Sequence, residues 1–315
     1  MDDTVALAID LGGTRIKAGI IVGTDVMVQR IVPTEDELGF EHVLSNIVAV
    51  GEDLLRERQA STVGLSLPAV VDVERGTVLD VRKNLKGLIG FPLVEVLQQR
   101  FNLPVAVEND ARLYGLGEMV AGAAKGVANL VCLTLGTGVG CCVVHDGYIA
   151  RGSHSTGGIL GGHMTIEVNG PVCSCGNIGC VEALCSAPAL IAATTARLAA
   201  NPNHLLNDGQ PLTPERIFAA AAGGDSVVGE VVAMYVRHLA AAVVSYIHVH
   251  DPDVVVLGGG IMHAADQILP PVHAYVGAHT WTSPQRLVPV HAAALGDQAA
   301  LIGAAALARG QARFR

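Results

Sequence analysis

The segment VALAIDLGGTRIKAGIIV, residues 5–22, runs apolar into a Gly-Gly turn and then alternates apolar and polar residues at period two. Alternation after the turn specifies a strand, and VMVQRIV (26–32) alternates again beyond it, so the glycines join strands of a β-hairpin. A dinucleotide-binding fold would open a helix directly after its glycines. Two further apolar runs end in glycine turns: NLVCLTLGTG (129–138) and DVVVLGGG (253–260). The first of these continues as GVGCCVVHDGYIARG (138–152), which reads as strand, Asp-Gly turn and strand.

Helical patterns lie between these landmarks. FEHVLSNIVAVGEDLLRERQA (40–60), PLVEVLQQRFN (92–102) and residues 298–311 carry apolar positions at helical spacing. Strands alternating with helices predict α/β layers. The chain has 315 residues, 50% of them hydrophobic, which is enough apolar surface for two packed cores. No linker-like tract separates the halves. The boundary is therefore placed by motif, just after VEND (107–110), where a strand gives way to the helical ARLYGLGEMVAGAA.

A net charge of −9 offers no broad basic surface and argues against a nucleic-acid partner. The N-terminal MDDTVALAID carries acids where a signal peptide would carry lysines, which predicts a cytoplasmic protein. The most apolar stretches, such as LAAAVVSYI (239–247), are interrupted before the roughly 18 residues a membrane span needs, so no membrane association is expected. Seven cysteines, an odd count, argue against a disulfide framework and for reduced thiols.

Backbone amides in a tight glycine turn can approach phosphate oxygens closely, because no Cβ intervenes. Two such hairpins would hold one polyphosphate from both sides. The candidate ATP and magnesium residues are Asp10, Gly12, Gly13, Thr14 and Lys17 in the first turn, Gly136, Thr137 and Gly138 in the second, and Gly258 and Gly259 in the third. Asp10 is placed to hold Mg2+, usually through water, and Thr14, Lys17 and Thr137 to add hydroxyl or ammonium contacts. The competing reading is that the glycines serve only to make tight hairpins and that the aspartate forms a turn.

The motifs DLGGTRIKAGI, VENDARLYGLGE, LTLGTGVG, GHMTI followed by CSCGNIGCVE, VVVLGGG and ALGDQAALIGAA stand in the order seen in the ROK family of sugar kinases and repressors. The chain resembles that family over almost its whole length. The family belongs to the actin, Hsp70 and sugar kinase superfamily. The resemblance implies two ribonuclease-H-like α/β lobes with ATP and sugar in an interlobe active-site cleft, a homodimer, and a C-terminal helix returning to the first lobe. On this basis residues 1–110 with about 297–315 form the smaller lobe. Residues 111–296 form the larger lobe, with the glycine turns and a cysteine-rich loop.

That loop, CSCGNIGC (173–180), lies downstream of His163. A metal site, a redox pair and chance packing are the alternatives it raises. His163, Cys173, Cys175 and Cys180 offer one nitrogen and three sulfurs, the set a closed tetrahedral zinc site favours, and the resemblance implies the same four ligands for a structural Zn2+. A thioredoxin-like motif would instead place CxxC ahead of a helix. Cys132, Cys141, Cys142 and Cys185 read as core residues.

Phosphoryl transfer needs an in-line hydroxyl, charge neutralisation and a base. Asp110, at the end of the apolar strand LPVAV, is the candidate base, and Asn109 would orient substrate hydroxyls; helix capping by both is the competing reading. The resemblance adds Asn84, His163 and Glu182 as sugar contacts. Two positions depart from the family pattern. Leu160, in GGILGGH, falls where relatives carry a sugar-binding glutamate, and Ala69 stands where relatives often have glycine. A leucine accepts no hydrogen bond, so a changed hydroxyl preference is expected with the phosphorylation chemistry retained.

The predicted activity is ATP-dependent phosphorylation of a hexose or hexose-like substrate. The alternatives are a sugar-responsive repressor and a non-catalytic sugar- or nucleotide-binding protein. Nine residues before Asp10 are too few for a DNA-binding module, which argues against the repressor.

Overall fold

A computed structural model describes residues 4–81, 83–281 and 287–315, with all their side chains except those of Lys83 and Asn84. In chain order the elements begin with β1 (Val5–Leu11), β2 (Arg15–Val22), β3 (Asp25–Pro33), α1 (Phe40–Glu57) and β4 (Thr62–Leu67). There follow β5 (Ala69–Asp72), β6 (Thr77–Val81), α2 (Leu93–Phe101), β7 (Val105–Asn109) and α3 (Asp110–Ala121). Next come β8 (Leu130–Leu135), β9 (Val139–His145), β10 (Tyr148–Ile149), α4 (Val181–Cys185), α5 (Ala187–Ala199) and α6 (Pro214–Ala222). The chain closes with α7 (Ser226–His250), β11 (Val254–Gly258), α8 (Ala265–His279), β12 (Val290–Ala292) and α9 (Ala299–Ala308).

Two compact units result. The first runs through Ala128 and adds Cys142–Ile159 and Ala294–Arg315, and the second comprises Asn129–Cys141 and Leu160–Ala293. The first unit thus extends beyond Asp110, where the motif reading divides the chain. The reason is packing: α3 lies along α9, and both belong to one core.

In the first unit a five-stranded sheet has the order β3-β2-β1-β4-β7. The glycine turn makes the expected antiparallel hairpin, with Val5 opposite Val22 and Leu11 opposite Ile16. Strands β4 and β7 then add in parallel. All six residues of β4 are buried, the pattern of a strand covered on both faces. Helix α1 buries Val43, Ile47, Val50 and Leu54, a single stripe at helical spacing, against β1, β2 and β3. Helix α9 is apolar all round and packs on β1, β4 and β7, so the C-terminal helix is a core element of this unit. Gly64 on β4 permits that approach: a Cβ there would stand 1.9 Å from Ala304 O.

The second sheet has the order β10-β9-β8-β11-β12. Asp146 and Gly147 join β9 to β10 with φ of 53° and 77°, the pair of positive values that a two-residue type I′ hairpin requires. In the second unit β8, β11 and β12 run parallel. Here the reading from run length is corrected, because the polar interruptions around 239–247 do not keep the apolar helix short. Helix α7, which contains residues 239–247, is 25 residues long and apolar enough to cross a membrane by length and composition. Periodicity across the polar interruptions makes one continuous helix of what reads as short runs. It packs against α4, α5, α6 and α8 and buries ten side chains, Tyr246 among them, which is the environment of a core helix.

Candidate active site

Parallel pairing sets the site of the first unit. Asp10 on β1 is in register with Ser66 on β4, and Asn109 on β7 with Leu67, so the carboxyl ends of three adjacent parallel strands share one sheet edge. That edge is where open α/β sheets bind ligands. Asp10 and Asn109-Asp110 are two strand spacings apart there, about 10 Å.

Asn109 caps α3. Its Oδ1 accepts from the amides of Ala111 (3.1 Å) and Arg112 (3.2 Å), while its Nδ2 donates to Ala69 O (3.1 Å) and Asp110 Oδ1 (3.0 Å). The capping reading therefore holds for Asn109, and its amide protons are engaged within the protein. Asp110 opens the helix, and its Oδ1 also accepts from the Ala111 amide at 2.8 Å. Two donors thus fix one oxygen of this half-buried carboxylate. The carbonyl of Ala69 tethers the pair to β5.

The first glycine turn is closed by Gly12 N donating to Arg15 O (3.0 Å), and Thr34 Oγ donates to Gly12 O (2.8 Å). Gly13 and Thr14 are exposed at its tip. Asp10 Oδ1 accepts from Ser66 Oγ at 2.6 Å. Burial raises the Asp10 carboxyl above its ordinary range, opposed by the Ser66 hydrogen bond and the Lys17 charge. Lys17 is Asp10's cross-strand partner and pairs with Asp297 Oδ1 at 3.2 Å. One half-buried carboxylate beside an exposed amide turn is a donor set that fits a hard divalent cation bound together with a phosphate. Asn84 belongs to a short 3-10 turn, Lys83–Leu88, and its side chain lies outside the described residues.

In the second unit the carboxyl ends of β8 and β11 align, with Gly258 opposite Thr134. This brings the turns at Gly136–Gly138 and Gly258–Gly259 to one edge. Gly136 N donates to Gly138 O (3.0 Å), and Thr137 is exposed between them. Gly259 has φ 86°, and a Cβ there would lie 2.4 Å from Leu135 O, so glycine is required at this position by backbone packing.

Glu182, in the first turn of α4, ties two of these features together. Its Oε2 accepts from Val139 N (3.1 Å), just after the 136–138 turn, and its Oε1 accepts from Ser174 Oγ (2.8 Å) in the cysteine loop. It is half-buried, and both carboxylate oxygens have protein partners.

His163, Cys173, Cys175 and Cys180 converge, their ligand atoms all within 4.8 Å of one another. Cys173 Sγ stands 3.6 Å from His163 Nδ1, and Cys175 Sγ 3.8 Å from Cys180 Sγ. A tetrahedral ion with Zn–S bonds of about 2.3 Å separates its sulfurs by about 3.8 Å, so the set fits Zn2+. The loop is also wired by its own backbone: Cys173 N donates to Asn177 O (2.7 Å) and Gly179 N to Pro171 O (2.8 Å). Gly179 has φ 63°, and a Cβ there would sit 1.6 Å from Glu167 O. The remaining thiols, Cys132, Cys141, Cys142 and Cys185, are buried. Burial pushes the Cys142 thiol up to about 12.

His163 ends a 3-10 turn that begins at Leu160. A Cβ on Gly162 would lie 2.0 Å from Val139 O, and one on Gly161 2.5 Å from Cys141 Sγ, so this Gly-Gly pair seats the turn on β9. Leu160 is left 48% exposed, a large apolar side chain open to solvent.

Sequence reasoning missed the supporting residues. Ser66 and Asp297 bind Asp10 and Lys17, and the fully buried Glu118 accepts from Ala123 N, Ala294 N and Leu295 N, fixing the segment that leads to Asp297. The signal for Asp297 was its place before the apolar run AALIGAA. Ser66 carries no signal apart from strand register.

The sequence model of the ROK family matches residues 6–311. A glucokinase of Thermotoga maritima is 32% identical over 313 residues, covering 96% of each chain. An N-acetylmannosamine kinase of Escherichia coli is 31% identical, covering 97% of this chain and 98% of that one. The structure is similar to that of a ROK family glucokinase from Streptomyces griseus in complex with glucose and AMPPNP. The TM-score is 0.85 at 30% identity, with 97% and 99% of the two chains covered. With family motifs in order and the match running nearly end to end, the chain belongs to the ROK family.

Proposed function

We propose that this protein is an ATP-dependent sugar kinase. It transfers the γ-phosphoryl group of ATP to a hydroxyl of a hexose or hexose-like substrate, with Asp110 as the general base. The observation that carries this reading is the shared carboxyl edge of β1, β4 and β7, which presents Asp10 and Asp110 together. The similarity to glucokinases and N-acetylmannosamine kinases, and to a structure holding glucose and AMPPNP, supports the same reaction class.

In the proposed reaction the sugar oxygen attacks Pγ, the bond to the bridging oxygen breaks, ADP leaves, and the sugar hydroxyl proton passes to Asp110. The carboxylate is oriented for that transfer by Asn109 Nδ2 and Ala111 N, both on Oδ1. Amides of the 12–14 turn would receive phosphate oxygens, with Lys17 supplying positive charge, and the turns at 136–138 and 258–259 offer the same amide chemistry within the second unit. Mg2+, held at Asp10, would neutralise charge on the phosphates. The Cys3His cluster would hold a structural Zn2+, which braces the loop carrying Ser174 against Glu182. His163, Glu182 and Asn84 complete the proposed sugar contacts, with Asn109 acting through Asp110.

Leu160 sets the expected specificity. An exposed leucine on the His163 turn offers no acceptor to a sugar hydroxyl, so the favoured substrate lacks the usual hydroxyl pair there, as a deoxy, keto, N-substituted or cyclitol analogue does. The test is ADP release across hexoses, N-acetylhexosamines, ketoses and cyclitols, for wild type and Leu160→Glu. The reading expects poor glucose turnover in wild type and a rise in kcat/KM for glucose of about one to two decades in the variant, the worth of a charged hydrogen bond. No ADP release with any sugar would overturn the kinase assignment. Efficient wild-type use of glucose with no gain in the variant would overturn the specificity claim alone.

A further inference from the structure

The two residues flanking Asn109-Asp110 and Ala111 form a buried ion pair. Glu108 and Arg112 are both fully buried, and Arg112 Nη1 donates to Glu108 Oε1 at 2.9 Å. The remaining guanidinium donors gather one loop: Nε reaches Ala150 O (3.1 Å), and Nη2 reaches Ser155 O (2.9 Å) and Gly157 O (2.8 Å). A planar fork that satisfies one carboxylate and three carbonyls at once fixes direction as well as charge. The second oxygen of Glu108 accepts from Arg151, which stands in the same loop. Glu108 Oε1 also accepts from Asn109 N at 2.8 Å.

Arg151 is held from its other side. Its guanidinium carbon lies 3.6 Å from the centre of the Phe314 ring, and its Nε is buried with no hydrogen-bond acceptor among the described residues. The aromatic face supplies the attraction there. The segment around Phe314 is fastened to the loop by backbone bonds: Ile149 N to Arg313 O (2.8 Å), Arg315 N to Ile149 O (3.0 Å) and Arg151 N to Arg315 O (2.8 Å). The loop closes on itself through Gly157 N to Arg151 O (2.7 Å).

We propose that Arg112 and Arg151, the latter seated on Phe314, are positioning residues for phosphoryl transfer. They lock the strand end bearing Asn109-Asp110 to the 150–157 loop, which continues directly into Leu160. This rests on the assignment of Asp110 as the base. The clamp's contacts lie within the protein, and it acts by holding the carboxylate in the attitude that accepts the proton. An aromatic ring more than 200 residues away in sequence thereby belongs to the catalytic apparatus.

The test compares wild type, Phe314→Ala, Phe314→Tyr and Arg151→Lys, measuring kcat, KM for ATP, Tm, and amide hydrogen exchange at residues 150–157. Misplacement of a reacting group lowers turnover steeply. Phe314→Ala and Arg151→Lys should therefore reduce kcat on the order of tenfold, with KM for ATP and Tm little changed and exchange at 150–157 faster. Phe314→Tyr, which keeps the aromatic face, should restore kcat. An unchanged kcat in Phe314→Ala, a loss that only tracks a lower Tm, or a Tyr variant as slow as the Ala variant overturns the proposal. If wild type releases no ADP with any sugar, the kinase assignment fails and the proposal with it; if wild type is active and the clamp variants are too, the clamp alone fails.

Discussion

The Cβ that Gly303 lacks would lie 3.1 Å from the amide nitrogen of Gly117 and 1.8 Å from Leu113 O. Helices α3 and α9 therefore meet backbone to backbone, and the contact lies along the helix that Asp110 opens. Gly303→Ala should destabilise the protein by about 1 to 3 kcal/mol through overpacking, seen as a lower Tm, and should lower kcat as α3 shifts. A variant with unchanged Tm would show that the two helices separate without penalty.

Asp110→Asn keeps an oxygen that accepts from Ala111 N but loses the base. Turnover should fall on the order of 10²-fold or more, with Tm and substrate binding close to wild type. Near-normal turnover in the purified variant would remove Asp110 from the mechanism.

Asp10 gives a pH signature. Its carboxyl is raised above the ordinary aspartate value of 3.8, chiefly by burial, so the folded state binds its proton more tightly than the unfolded chain does. Stability from this group is complete below 3.8 and declines as pH rises through the folded-state value. Asp10→Asn, which can still accept from Ser66, should therefore melt higher than wild type at pH 7 without added magnesium, and the difference should shrink toward pH 4. A variant less stable than wild type at pH 7 would contradict the desolvation account.

Protein purified without added metal should carry one zinc per chain. Chelation should speed hydrogen exchange across residues 163–182, whose short backbone bonds depend on the ion to hold the loop's shape, while leaving exchange in β1, β4 and β8 slow, because the two sheets do not depend on it. Elemental analysis well below one zinc per chain would count against the metal site.

The hairpins and glycine turns were legible because they are local: an apolar run into Gly12-Gly13 with period-two alternation after it, and an Asp-Gly turn at 146–147, each specify their own geometry. The Cys3His cluster was legible for the same reason, since three of its ligands lie within eight residues. Ser66 on Asp10, Glu118 under Leu295 and Phe314 on Arg151 were not, because each joins segments 56, 177 and 163 residues apart and carries no periodic signal. The compact units divide beyond Asp110 for a related reason. A strand-to-helix transition looks like a boundary, whereas the small residues of α3 and α9 that fuse them are visible only as a pair. For Asn109, capping and substrate orientation were set as alternatives, and the structure shows the cap; its hold on Asp110 leaves it a part in the chemistry through that neighbour.

Helix α9 has a consequence for biosynthesis. Strands β1 and β4 emerge from the ribosome early, yet the apolar helix that covers one of their faces is made more than 200 residues later. Helices α4 through α8 and strands β8 and β11 fall within a nearly continuous stretch and meet their neighbours as they appear. The nascent chain must therefore carry an uncovered sheet face while the second unit forms, and the first core is sealed only when residues 299–308 arrive.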